Sequence, residues 1–98
     1  MITYEVIKDN YVIIKNTSPI TFWAESCCGY TEEWYAAGVY SKEQIESISS
    51  NGTQIVICEN PEAYDWCLKN LTYFAIPIED IKLFLHILKG VKKYGRAK

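Results

Sequence analysis

The apolar pattern in the last quarter of the chain most constrains the fold. From Ile78, apolar residues recur at Ile81, Leu85 and Leu88, and Phe84, Ile87 and Val91 widen the row. At helical spacing these positions form a stripe broad enough for a helix lying across a sheet. The sheet must come from upstream, where short extended runs alternate with turn residues. Ile2–Lys8 and Tyr11–Lys15 flank Asp9-Asn10, a pair that tolerates positive φ and suits a two-residue hairpin turn. Thr17-Ser18-Pro19 breaks the chain before a third candidate strand, Ile20–Ala24. Thr53–Cys58 (TQIVIC) is the cleanest strand, and Thr72–Ile76 (TYFAI) reads either as a last strand or as an extended linker.

Helix signals punctuate these runs. Ser41 and Gln44 have the capping-box spacing and open KEQIESIS, with Ile45 and Ile48 inward and Asn51-Gly52 as the stop. Asn60-Pro61 places a cap before a proline at the first helical position, and Tyr64, Cys67, Leu68 and Leu71 then define a buried stripe. Pro77 opens the final helix. Thr31 is positioned to cap a short turn over Glu32–Ala37 that Gly38 ends, leaving Val39-Tyr40 extended.

This order predicts an α+β fold: a small antiparallel sheet of four or five strands starting with a β-hairpin, and two or three helices packed mainly on one face. A chain of 98 residues supports one modest core. The expected organisation is a single domain over residues 1–91, followed by a basic tail over 92–98 that frays.

Charge is distributed unevenly. Residues 1–88 hold five lysines against twelve carboxylates, whereas Lys89, Lys92, Lys93, Arg96 and Lys98 crowd the end without an acid. Lysines there suit a helix C-terminus, or form a phosphate-contacting tail of Lys92, Lys93, Arg96 and Lys98. No apolar run approaches the roughly 20 residues that span a bilayer. The opening MITYEVIKDN carries charges too early for a signal peptide. The expectation is therefore a cytoplasmic protein that does not engage membranes, with Cys27, Cys28, Cys58 and Cys67 as reduced thiols.

Catalytic patterns fail one by one. Cys27-Cys28 lacks the two intervening residues of a redox dithiol, since adjacent cysteines close a strained ring. Cys58 and Cys67 are nine apart and read as small buried hydrophobes. A cysteine nucleophile needs a base, and the sole histidine, His86, has no supporting spacing. Glu32-Glu33 and Glu79-Asp80 point about 100° apart at helix starts, where they favour the dipole and not a shared substrate. No zinc spacing or phosphate-binding glycine loop is present. The chain is expected to be no enzyme, with no cofactor and no metal.

The aromatics remain. FWAESCCGYTEEWYAAGVY, Phe22–Tyr40, holds six of the chain's fourteen aromatic residues and no basic one. Phe22 and Trp23 must point to opposite faces of a strand, and Trp34 and Tyr35 diverge in the same way. Some rings then form a second small cluster on the open face of the sheet. Others stay exposed as an interaction surface, for which Trp23, Tyr30, Trp34, Tyr35 and Tyr40 are the candidates, rimmed by Glu32 and Glu33.

The segment YVIIKN…FW…GYTEEWYAAGVYSKEQIESI is similar to small, mostly uncharacterised phage and prophage proteins of low-GC Gram-positive bacteria. Their shared pattern maps here onto Gly29-Tyr30-Thr31, Ala37, Val39-Tyr40 and Ser41-Lys42-Glu43. It covers about the first half of the chain. The resemblance implies a context in which small acidic proteins occupy a host protein's functional surface, as anti-CRISPR and other anti-defence inhibitors do. The expected function is a non-catalytic protein-binding inhibitor acting in the host cytoplasm, its partner a host protein such as a nucleic-acid-binding complex. The alternative is a nucleotide or nucleic-acid binding module that stacks bases on Tyr and Trp and meets phosphate with its tail.

Overall fold

The computed structural model describes residues 10–25 and 29–90. Its five strands are β1 (Tyr11–Lys15), β2 (Thr21–Trp23), β3 (Tyr30–Thr31), β4 (Val56–Ile57) and β5 (Tyr73–Pro77), in the spatial order β3-β2-β1-β5-β4. The helices are α1 (Lys42–Ser50), α2 (Tyr64–Asn70) and α3 (Ile81–Gly90), preceded respectively by 3-10 turns at Trp34–Ala36, Pro61–Ala63 and Ile78–Asp80. The architecture is α+β.

β1 and β5 form the centre, paired antiparallel from Tyr11↔Pro77 to Lys15↔Tyr73. Both are buried on both faces over Tyr11–Ile14 and Phe74–Pro77. That explains why YVII and FAI read as continuous apolar runs without a polar alternation. TYFAI, open between strand and linker in the sequence, is therefore a central strand. The run Ile2–Lys8 and most of its turn lie outside the described residues. One edge of β1 is taken by β5, and the other by β2 together with a bridge from Tyr11 to Tyr40.

The sheet is mixed, which corrects the antiparallel expectation. β4 runs parallel to β5, in the register Val56↔Phe74 and Ile57↔Ala75. The cause is the connection: the turn at Pro61–Ala63 and α2 carry the chain back across one face, making a strand–helix–strand unit. β4 is also shorter than TQIVIC promised. It is an edge strand paired over two residues, extended by the Cys58 amide donating to the Ala75 carbonyl.

The helices divide two to one between the faces. On the larger face Val12, Ile14, Phe22, Phe74 and Ile76 meet Tyr64, Cys67 and Leu68 of α2 and Ile81 and Phe84 of α3. On the other, Tyr11, Ile13 and Ala75 meet Tyr40, Ile55 and Ile45 of α1. Asn16, buried at the end of β1, donates from Nδ2 to the carbonyls of Leu68 and Leu71, at 2.9 and 2.7 Å. It thereby satisfies acceptors that the end of α2 leaves open and ties that helix to the sheet.

Local signals act as their spacing predicts where they concern a few residues. Ser41 and Gln44 form the reciprocal capping box of α1, and Asn60 accepts from the Glu62 amide ahead of α2. Asn51 caps the end of α1, and Gly52 follows at φ +121°. Two expectations are corrected. Thr31 ends β3 and accepts from the Glu33 amide, while the turn that follows spans only Trp34–Ala36 and has no side-chain cap. Gly38 is required by close backbone approach: a Cβ there would lie 2.8 Å from the Glu25 backbone.

Candidate functional site

The aromatic segment wraps the end of β2. β3 pairs on β2 through Phe22↔Thr31 and Trp23↔Tyr30. The chain then makes its 3-10 turn and returns, with the Gly38 amide donating to the Trp23 carbonyl and Tyr40 exchanging both backbone hydrogen bonds with Tyr11. These anchors decide where each ring goes.

Phe22 enters the larger core, and Trp23 turns to the opposite face. There Trp23 meets Tyr30, Tyr40 and Tyr73 edge-on, with ring centroids 6.2, 6.4 and 6.0 Å away. Such perpendicular pairs match the positive ring edge to the negative face. Tyr40 is buried, and its hydroxyl donates to the Ala24 carbonyl. Tyr40 thus belongs to the interior and Trp23 is half-buried, because Trp23 alternates inward from β2 and the Tyr11 bridge holds Tyr40 over the sheet. They are removed from the set of freely exposed candidates.

Tyr30 is 50% exposed. One side of it rests on Trp23, and the Lys15 ammonium stands 4.3 Å from its ring centre. Its hydroxyl bonds with that of Tyr73, which together with burial holds the Tyr73 hydroxyl above the usual tyrosine range. Trp34 is half-buried against the larger core. Tyr35 stands edge-on to it at 5.8 Å and is 70% exposed. Glu25, Glu32 and Glu33 are all exposed nearby in the chain. The outward group is therefore Tyr30, Tyr35, Glu32 and Glu33, with Trp34 as a half-sunk anchor.

One exposed ring escaped the sequence reading. Trp66 on α2 is 56% exposed. The stripe of Tyr64, Cys67, Leu68 and Leu71 already carried the signal, since at 100° per residue position 66 falls off that stripe. Cys27-Cys28 and the tail residues Lys92, Lys93, Arg96 and Lys98 lie outside the described residues.

The remaining chemistry-bearing groups are sparse. His86 is exposed on α3. Among the described residues no group of three or more His, Cys, Asp or Glu is placed to hold a metal ion. No described helix is long and apolar enough to cross a membrane. Cys58 and Cys67, nine apart in sequence, are in contact, with Sγ atoms 3.0 Å apart. Comparison with protein-family models, curated proteins and solved structures returned no match.

Proposed function

We propose that this chain is a non-catalytic binding protein that occupies the functional surface of a host protein, in the manner of a phage-encoded anti-defence inhibitor in the host cytoplasm. The observation that carries the reading is Tyr35, a large ring 70% exposed and braced edge-on against the half-buried Trp34. A ring presented on a rigid support loses little conformational entropy on binding, which is the property of an interface hot spot. Glu32 and Glu33 beside it, and the acidic balance of residues 1–88, favour a partner with a basic face. A groove that normally holds nucleic acid is one such face.

The test is affinity capture from bacterial lysate, followed by titration of the retained protein against single-site variants. Tyr35→Ala is expected to weaken binding by about 30-fold or more, the loss that corresponds to a hot spot of about 2 kcal/mol. Affinity unchanged in both Tyr35→Ala and Tyr30→Ala, with the fold intact, removes this surface.

A further inference from the structure

Eight residues separate Cys58 from Cys67, and the parallel crossover brings them back together. Cys58 follows β4 and is pinned by its amide to the Ala75 carbonyl; Cys67 sits on the inward stripe of α2. Both side chains are buried in the larger core. Their Sγ atoms stand 3.0 Å apart, about 1 Å beyond a covalent sulfur–sulfur bond. No large shift of β4 or α2 is needed to close that gap. A metal would need further ligands, and no such group exists among the described residues.

We propose that Cys58 and Cys67 are a reversible redox pair, which hydrogen peroxide oxidises to a disulfide joining the end of β4 to α2. Cys58 is the attacking sulfur. It accepts the Cys67 S–H and the Asn60 backbone N–H, and these hydrogen bonds lower its pKa against the opposing effect of burial. Cys67, the donor, is held protonated above the ordinary thiol range. The sulfur of Cys58 attacks one peroxide oxygen, the O–O bond breaks, and a sulfenic acid and one water form. The Cys67 sulfur then attacks that sulfenic sulfur, the S–O bond breaks, and the disulfide and a second water form. Two thiols lose two electrons and two protons, and the peroxide takes both. Access comes through the edge of the sheet, where β4 holds by a two-residue ladder that opens more readily than the centre.

The link closes a short loop around Glu59–Trp66 and restrains the strand–helix–strand unit. Oxidised protein should melt higher by on the order of 10 °C. It should return to the reduced value with dithiothreitol.

The experiment treats the full chain with hydrogen peroxide, quenches by alkylation in denaturant, and maps the cysteines by peptide mass spectrometry. Expected is a linked pair of peptides carrying Cys58 and Cys67, two hydrogens lighter than the reduced pair and reversible by thiol. In Cys67→Ser, a sulfenic-acid trap such as dimedone should label Cys58; in Cys58→Ser, Cys67 should stay unlabelled. If a serine variant fails to fold, the linkage map of the unaltered chain decides. Recovery of Cys58 and Cys67 as free thiols while Cys27 or Cys28 oxidises would overturn the proposal. So would a link from either to Cys27 or Cys28, or irreversible oxidation of Cys58 without a link.

Discussion

β1 turns Val12 and Ile14 toward α2 and α3, and turns Tyr11 and Ile13 toward α1, so one strand serves two interiors of different chemistry. The first is lined by aliphatic side chains and phenylalanines, and its few polar groups are answered. Tyr64 donates to Asp80 at 2.9 Å, and Asn16 serves two carbonyls. The second sets Tyr11, Tyr40, Trp23 and Tyr73 among isoleucines, and the polar tips of those rings must find partners. The Tyr11 hydroxyl goes to Glu59, that of Tyr40 to a carbonyl, and that of Tyr73 to Tyr30. Here the accounting does not close: among the described residues Thr21 Oγ1 and Trp23 Nε1 are buried without a hydrogen-bond partner. Consistency across levels marks a region selected for stability, and local violations mark regions shaped by something else. The imperfect face is the one that Tyr30 borders, whereas Trp34, which braces Tyr35, packs on the first.

The largest effect should come from the first face. Phe84 is fully buried and packs edge-on against Tyr64 and Phe74, at 5.8 and 5.9 Å. Phe84→Ala removes that packing and leaves a cavity, at a cost of about 3–5 kcal/mol. Against a total stability of order 5–15 kcal/mol, this unfolds a large fraction of the protein near physiological temperature. Urea denaturation followed by far-UV circular dichroism measures it. A loss below about 1 kcal/mol would mean that this face is not the principal source of stability.

What the sequence carried, and what it did not, follows the same division between local and distant causes. Caps act across three or four residues, so Ser41 with Gln44 and Asn60 with Pro61 were legible. The opposite headings of Phe22 and Trp23 follow from strand alternation alone. The parallel pairing of β4 was present only as an order of elements, TQIVIC then a helix then TYFAI, and became a direction once α2 served as the crossover. TQIVIC looked longer than its paired length because alternation reports amphipathic character, not whether a partner strand lies alongside. Trp34 and Tyr35 could not be sorted, since a single 3-10 turn has no periodicity and its inward side depends on where the larger core lies. The contact of Cys58 with Cys67 was likewise hidden, because it exists only after α2 folds back on the sheet.

An intermediate effect should appear on the second face, with the opposite sign. Thr21 faces Lys15 across the β1–β2 ladder, and its hydroxyl is buried without a partner. Thr21→Val keeps the shape and the β-branch while removing the orphan group. An unsatisfied buried polar group costs about 1–3 kcal/mol, so the variant should gain about 1 kcal/mol. The readout is a higher urea midpoint at unchanged m-value. A loss of stability would show that the hydroxyl is satisfied in solution, and the contrast between the faces would narrow to Trp23.

The smallest effect separates folding from binding. Tyr30 is tied to Trp23, Lys15 and Tyr73, so its replacement changes both the surface and the second interior. Tyr35 has its one described ring contact with Trp34 and is otherwise mostly in water. Truncating an exposed side chain away from a core changes stability by no more than about 0.5 kcal/mol. Tyr35→Ala should therefore leave the urea midpoint almost unchanged while it weakens partner binding. If its midpoint falls by an amount comparable to a core variant, Tyr35 is holding Trp34 in place, and the ring belongs to the architecture of the larger face. If the midpoint holds while partner binding weakens, Tyr35 serves the contact and not the fold.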